Sequence, residues 1–142
     1  MQRPYPARVQ RDEIAAGIRE VLEASAPGVA AAYLFGSAAR DTRNAASDVD
    51  VAILLERDPP PQLSGLCLEL EGALERALGC DVDLVVLNLA APELCHRVLR
   101  DGILVLERNR SARIRFEVRA RNEYFDIRPR LDEYRRLRRP PG

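Results

Sequence analysis

Two seven-residue apolar runs, Val29–Phe35 and Val49–Leu55, constrain the fold of this chain more than any other feature. Each run is short and almost free of charge, which predicts a buried β-strand rather than a surface helix. The segment between them, residues 36–47, is small and polar and has no apolar period. It therefore predicts a loop that joins two buried strands of one sheet.

The rest of the chain alternates between helical and strand patterns. Apolar residues at helical spacing predict four helices, over residues 12–24, 63–78, 92–100 and 111–125. Short apolar runs predict two further strands, over residues 82–87 and 103–106. Pro129 is expected to end the fourth helix and to leave a last basic helix over residues 130–138, and the RDPPP segment at 57–61 predicts an exposed turn. This alternation predicts a single α/β (α+β) domain, residues 1–142, with helices flanking a small mixed β-sheet.

Size and composition exclude several classes of protein. A chain of 142 residues that is 46% hydrophobic is long enough for one core and too apolar to be disordered. No apolar run approaches the length of a membrane span, and the first residues have no signal-peptide core. Three cysteines, at positions 67, 80 and 95, form neither a disulfide framework nor a metal-binding pair. We therefore expect a cytoplasmic protein with reduced thiols and no membrane contact.

Charge is distributed unevenly although the formal net charge is zero. Residues 1–107 have a net charge of −7 and residues 108–142 have +7. The basic segment 108–142 is expected to be helical, and its arginines allow three interpretations: a solvated helix face, a docking surface for a partner, or contact with nucleic acid. The solvated face is preferred. Direct nucleic-acid binding is not expected, because Tyr124 and Phe125 are predicted to pack in the core rather than stack on bases.

Two acidic residues mark the start of the second predicted strand. Asp48 and Asp50 are two positions apart, so their side chains point to the same side, roughly 7 Å apart along the chain. Neighbouring carboxylates repel, and each is costly to keep ionised beside a sheet. A divalent cation offsets that repulsion, and hard oxygen ligands select Mg²⁺ or Mn²⁺. Either Asp81 or Asp83, which share one face of the third predicted strand, could supply a third carboxylate.

The loop between the first two strands has the features of a phosphate site. Gly36 and Ser37 directly follow the first strand, and such a turn presents backbone N–H groups and a hydroxyl to a phosphate. Glycine allows the backbone to approach closely. Arg40 and Arg43 lie in the same loop and can reach phosphate oxygens. Phosphate-binding and metal-binding groups within fifteen residues predict a site for a metal-bound nucleoside triphosphate.

This arrangement resembles a known family. Gly36-Ser37, then ten residues, then Asp48-x-Asp50 is similar to the signature of the minimal nucleotidyltransferases of the DNA polymerase β-like superfamily. Asp83, followed by two aliphatic residues, resembles the third aspartate of that family. Chain size and element order most resemble the MNT-type antitoxins, which pair with HEPN-domain toxins. The resemblance implies a polymerase β palm-like fold and transfer of AMP from ATP to a tyrosine of a HEPN ribonuclease toxin.

The resemblance also implies roles for the residues of the site. Asp48 and Asp50 would be catalytic ligands of two Mg²⁺ ions, and Asp83 would complete the metal site and help to deprotonate the acceptor hydroxyl. The turn at Gly36 and Ser37 would hold the β- and γ-phosphates. Two alternative functions stay open: a small-molecule nucleotidyltransferase of the aminoglycoside-modifying type, and a catalytically silent antitoxin that neutralises its toxin by binding.

Overall fold

Four helices and four strands follow one another along the part of the chain that the computed structural model describes, residues 7–39, 48–57, 59 and 63–138. The helices are α1 (Ala7–Ser25), α2 (Leu63–Leu78), α3 (Pro92–Asp101) and α4 (Arg110–Arg138). The strands are β1 (Val29–Phe35), β2 (Val49–Leu55), β3 (Val82–Val86) and β4 (Ile103–Glu107). The predicted bounds of β1, β2 and α2 are the observed ones. The turn predicted at residues 57–61 lies partly outside the described residues.

The sheet is mixed, as predicted. Its strand order is β3-β2-β1-β4, and β1 pairs antiparallel with both β2 and β4. β3 pairs parallel with β2, and α2 lies in the connection between them because parallel neighbours need a crossover. The first residues of β2 and β3 therefore lie at the same end of the sheet, beside the last residues of β1.

Helices cover both faces of the sheet. On one face, α1 and α2 place the fully buried side chains of Ile18, Leu22 and Leu74 against the strands. On the other face, α3 and α4 contribute Val98 and Phe116 to a second cluster. Strands buried on both faces are continuously apolar, which explains the two runs in the sequence. None of the helices in the described ranges is long and apolar enough to cross a bilayer.

Polar contacts hold α4 against the sheet. The hydroxyl of Tyr33 on β1 donates a hydrogen bond to Glu117 on α4 over 2.8 Å. Arg113 donates to Glu117 over 2.9 Å and to Glu107 over 2.8 Å. Burial, followed by the neighbouring Glu117 carboxylate, raises the pKa of Tyr33 far above its ordinary value. The phenol therefore remains a hydrogen-bond donor at neutral pH.

The prediction that Pro129 ends a helix is wrong. α4 continues through Pro129 to Arg138 as one helix of 29 residues. A proline inside a helix removes one backbone hydrogen bond and crowds the carbonyl of the residue four positions earlier, here Phe125. Both residues are exposed, so water can satisfy the freed carbonyl, and the helix tolerates the proline.

The prediction that Phe125 packs in the core is also wrong. Its side chain is 66% exposed, whereas the α4 residues that reach the core are Phe116 and Ala120. Residues at positions 114, 118 and 125 share a helical period, but that stripe lies on the outer side of α4. Tyr124 is half-buried and stacks on His96 of α3, with 3.7 Å between the ring centroids. Periodicity alone identified the helix without identifying its inward face.

Two arginines at the edge of the fold donate hydrogen bonds to backbone carbonyls of other elements. Arg19 on α1 donates a hydrogen bond over 2.8 Å to the backbone carbonyl of Val105, on the edge strand β4. Arg108, which follows β4, donates to the carbonyl of Leu22 over 2.8 Å and to that of Ala26. The carbonyls of Leu22 and Ala26 also accept backbone hydrogen bonds, from the N–H groups of Ala26 and Val29. Arg108 therefore adds a second donor and a positive charge at the C-terminal end of α1, where a cation is favourable.

Deletion of residues 128–142 is expected to leave the free energy of unfolding within about 1 kcal/mol of the wild-type value. The reason is that no described side chain beyond Ala120 on α4 is buried. The ion pair of Arg135 with Glu93 joins exposed side chains and adds little. Thermal unfolding of the truncated chain measures this effect. A large loss of stability would show that the end of α4 is part of the core after all, and unchanged complex formation with a partner would exclude this segment as a docking surface.

Candidate active site

The turn after β1 brings the backbone against a carboxylate. Gly36 has a φ of +74°, a conformation that residues with a side chain rarely adopt. A Cβ atom at this position would overlap Oδ2 of Asp50 and would lie 3.2 Å from its Cγ. Glycine is therefore required here for two independent reasons, the backbone conformation and the space that the Asp50 carboxylate occupies.

Asp50 lies at the centre of the acidic group. On β2 it pairs in register with Phe35 of β1 on one side and with Asp83 of β3 on the other. The pKa of Asp50 is raised, first by partial burial and then by the negative charges of Asp83 and Asp48, while the positive charge of Arg97 lowers it. The fold thus brings the three aspartates singled out from the sequence close enough to act on one another.

Of the two candidates for a third carboxylate, Asp83 is the one directly opposite Asp50. Asp81 precedes β3, and its backbone carbonyl accepts a hydrogen bond from the N–H of Val49 over 2.9 Å. The charge of the Asp81 side chain affects Glu75 on α2 instead. The pKa of Glu75 is raised first by partial desolvation and next by the negative charge of Asp81. The parallel register of β2 and β3 therefore assigns the two aspartates to different surroundings.

An open pocket of about 280 Å³ lies beside Asp50. Two residues of α3 that sequence reasoning missed line it together with the end of β1: the full lining is Phe35, Gly36, Asp50, Arg97 and Asp101. The end of α3 lies close to β1, since a Cβ on Gly102 would lie 3.2 Å from the carbonyl oxygen of Leu34. No local pattern in the sequence marks Arg97 or Asp101, because this contact joins distant segments.

Of the other predicted phosphate-binding residues, only Ser37 lies within the part of the chain that the structure describes. Ser37 follows Gly36 in the same turn and is half-buried. Arg40 and Arg43 lie outside the described residues. The part of the predicted phosphate site that can be located is therefore the Gly36–Ser37 turn.

The donor set suits a hard divalent cation. Asp48, Asp50 and Asp83 offer only carboxylate oxygens, which are the ligands that Mg²⁺ prefers, and their mutual repulsion would be relieved by a cation. Within the described ranges, however, no three acidic, histidine or cysteine side chains are already gathered as a metal-binding cluster. The carboxylate oxygens are suitable ligands for such an ion, but the aspartate side chains would have to rotate to bind it together.

The mixed sheet, the Gly36–Ser37 turn and the neighbouring aspartates agree with the predicted resemblance to nucleotidyltransferases. The sequence model of one family, described as Polymerase beta, Nucleotidyltransferase, matches residues 17–111. The chain belongs to this family. Enzymes of the family generally use a divalent metal ion.

Similar proteins include a protein adenylyltransferase and chains of toxin–antitoxin structures. The protein adenylyltransferase MntA of Shewanella oneidensis is 36% identical over 85 residues, which are 60% of this chain and 59% of MntA. The alignment thus spans less than two thirds of that relative. One chain in a crystal structure of a toxin–antitoxin with AMP-PNP is 27% identical to this chain and superposes with a TM-score of 0.68. The superposition covers 84% of this chain and 97% of that one. A crystal structure of a mutant of the toxin–antitoxin MntA-HpeT gives a TM-score of 0.67 at 27% identity, with 84% of this chain covering 95% of that one.

Proposed function

We propose that this protein is a Mg²⁺-dependent adenylyltransferase that acts as an antitoxin and transfers AMP from ATP to a tyrosine of a cognate HEPN ribonuclease toxin. The observation that carries the proposal is the placement of Asp50 opposite Asp83 and under Gly36, at the wall of an open pocket. The likeness to MntA and to the toxin–antitoxin structure that holds AMP-PNP supports a nucleotide substrate and a protein acceptor.

Each part of the site has a task in this reaction. Asp48, Asp50 and Asp83 would hold two Mg²⁺ ions, which supply charge neutralisation and polarisation of the α-phosphate when bound. The backbone N–H groups and hydroxyl of the Gly36–Ser37 turn would hold the β- and γ-phosphates. Arg40 and Arg43 are proposed to approach the same phosphates from the following loop. Held in this way, the triphosphate presents its α-phosphorus to the open side of the pocket.

The transfer is a single displacement. The tyrosine oxygen of the acceptor forms a bond to the α-phosphorus while the bond from that phosphorus to the pyrophosphate oxygen breaks. The phenolic proton passes to a nearby carboxylate, for which Asp83 is proposed. AMP becomes bonded to the acceptor tyrosine, and pyrophosphate leaves with the electron pair of the broken bond. No residue of this chain forms a covalent intermediate.

The openness of the site favours a macromolecular acceptor. The α-phosphate of a bound nucleotide would face outward from a shallow pocket between the end of β1 and α3. A protein that docks over this opening would complete the acceptor side and exclude water. The use of ATP, and cysteines 67, 80 and 95 that form no disulfide, agree with the proposed cytoplasmic site of action.

Mass spectrometry of the partner tests the proposal. The protein is co-purified with a HEPN protein encoded beside it and incubated with ATP and Mg²⁺, and the mass of the partner is followed. One or more added AMP groups, located on tyrosine, are the expected result. Neutralisation of the toxin without any mass change would identify a silent antitoxin, and AMP transfer only to a small molecule such as an aminoglycoside would replace the proposal with that alternative.

A further inference from the structure

We infer that Arg97 on α3 is the residue that binds the triphosphate from the wall of the pocket opposite the Gly36–Ser37 turn. This inference rests on the proposed function, because it assigns a ligand group to the same pocket. It concerns a residue that no sequence motif marks, and it names which part of the nucleotide the residue contacts.

The position of Arg97 is fixed by its helix. Cys95 and Val98, two and one positions away, are buried in the core, so this turn of α3 cannot rotate. Arg97 lies on a different side of the helix, is exposed, and lines the pocket together with Gly36 and Asp50. A side chain anchored on a rigid helix positions its charged group more precisely than one on a loop.

The guanidinium group of Arg97 has no polar partner among the residues that the structure describes. Nearby arginines have partners: Arg100 pairs with Asp101 over 2.8 Å, and Arg113 pairs with Glu107 and Glu117. Arg97 has no hydrogen bond and no ion pair with any residue in the described ranges. It nevertheless lies near enough to Asp50 for its charge to favour the ionised carboxylate. The charge of Arg97 therefore acts on Asp50 beside the pocket, and no described residue uses its N–H donors.

The charge of the site requires such a cation. Two of the five residues that line the pocket, Asp50 and Asp101, are acidic, and Asp83 lies on the adjacent strand. A triphosphate adds further negative charge, so it needs positive groups besides the metal ions. Arg97 is the only cation among the described residues that line this pocket. Its planar fork matches two phosphate oxygens at once.

Arg97 would stabilise the pocket both before and after the nucleotide binds. Without nucleotide, its charge partly offsets that of Asp50. When the aspartates are neutralised by metal ions that arrive with ATP, this offset is no longer needed, and the guanidinium can turn to the phosphate oxygens. The same side chain thus stabilises the site in both states.

Binding measurements on the full chain test this inference. The Kd values of ATP and of AMP, each with Mg²⁺, are measured by calorimetry for the wild type, Arg97→Gln and Arg97→Lys. Arg97→Gln is expected to weaken ATP binding by about 10- to 100-fold and AMP binding by less than about threefold, because a charge-assisted contact to the outer phosphates is lost. Arg97→Lys keeps the charge but loses the fork, so it should fall in between.

The control is Arg119→Gln, since Arg119 is an exposed arginine on α4 with only a 4.0 Å approach to Glu123. It should bind ATP as the wild type does, and all the variants should unfold at the wild-type temperature. Wild-type affinity of Arg97→Gln for ATP, or an equal loss for ATP and AMP, would overturn the inference while AMP transfer by the wild type still supported the proposed function. Absence of ATP binding by the wild-type protein would overturn both.

Discussion

Asp50→Asn is expected to lower the rate of AMP transfer by about 1000-fold or more while the chain still folds. Asp50 is the carboxylate that both Asp48 and Asp83 approach, so it is the proposed ligand shared by the metal ions. An uncharged amide binds a hard cation far more weakly, and a loss of about 4 kcal/mol of transition-state stabilisation corresponds to that factor. Because asparagine has the same shape, it fits beneath Gly36. Incorporation of labelled AMP into the partner measures the rate.

The same substitution is expected to leave the melting temperature unchanged or higher. The pKa of Asp50 is raised in the folded protein, so the folded state binds the proton more tightly than the unfolded state does. Its ionisation therefore costs stability as the pH rises from the ordinary pKa of an aspartate through the raised value. Asparagine removes it.

The matched control for this substitution is Asp12→Asn, an exposed aspartate on α1, which should change neither transfer nor stability. Retained AMP transfer by Asp50→Asn would remove Asp50 from the catalytic site. Loss of the fold in that variant would show that the charge has a structural role that its pKa does not indicate.

Gly36→Ala is expected to destabilise the fold by about 2–5 kcal/mol and to abolish AMP transfer. The left-handed backbone at Gly36 costs an alanine about 1–2 kcal/mol, and an overpacked contact adds about 1–3 kcal/mol. Relief of the overlap with Oδ2 of Asp50 would require the carboxylate to move, which separates it from Asp83. Chemical denaturation measures the first effect, and AMP incorporation measures the second.

Two further variants separate these causes. Gly28→Ala has nothing within 4 Å of the added Cβ, so it should be nearly neutral. In a double-mutant cycle, Asp50→Ala removes the oxygen that the new Cβ would meet, so the double variant should be more stable than the sum of the two single changes by about 1 kcal/mol or more. Strict additivity would mean that the backbone conformation alone requires glycine at position 36.

The features that the sequence predicts well are those fixed by local pattern. β1 and β2 are buried on both faces, so their apolar runs begin and end where the strands do. α2 ends at Leu78, directly before Gly79, whose φ is +69°, and a glycine in this conformation is a common helix terminator. The spacing from Ser37 to Asp48 indicates the site because the strands before and after the loop are adjacent and antiparallel.

The features that the sequence does not predict depend on contacts between distant segments. Alternation along the chain treats Asp81 and Asp83 alike; the resemblance favours Asp83, and the parallel register of β2 and β3 places it opposite Asp50. Arg97 enters the site because α3 ends against β1. The inward face of α4 is set by packing on the sheet, where Phe116 rather than Phe125 is buried. Each of these facts requires knowledge of which elements are neighbours.

The hydrogen bond from Arg19 to Val105 restricts how this protein can meet another. β4 forms one border of the sheet, and such a border normally offers free backbone groups on which a foreign strand can be added. Here a side chain from α1 already occupies one of those carbonyls, so an incoming strand would have to displace a charged group before it could register. Recognition by β-augmentation is thereby disfavoured along the β4 border.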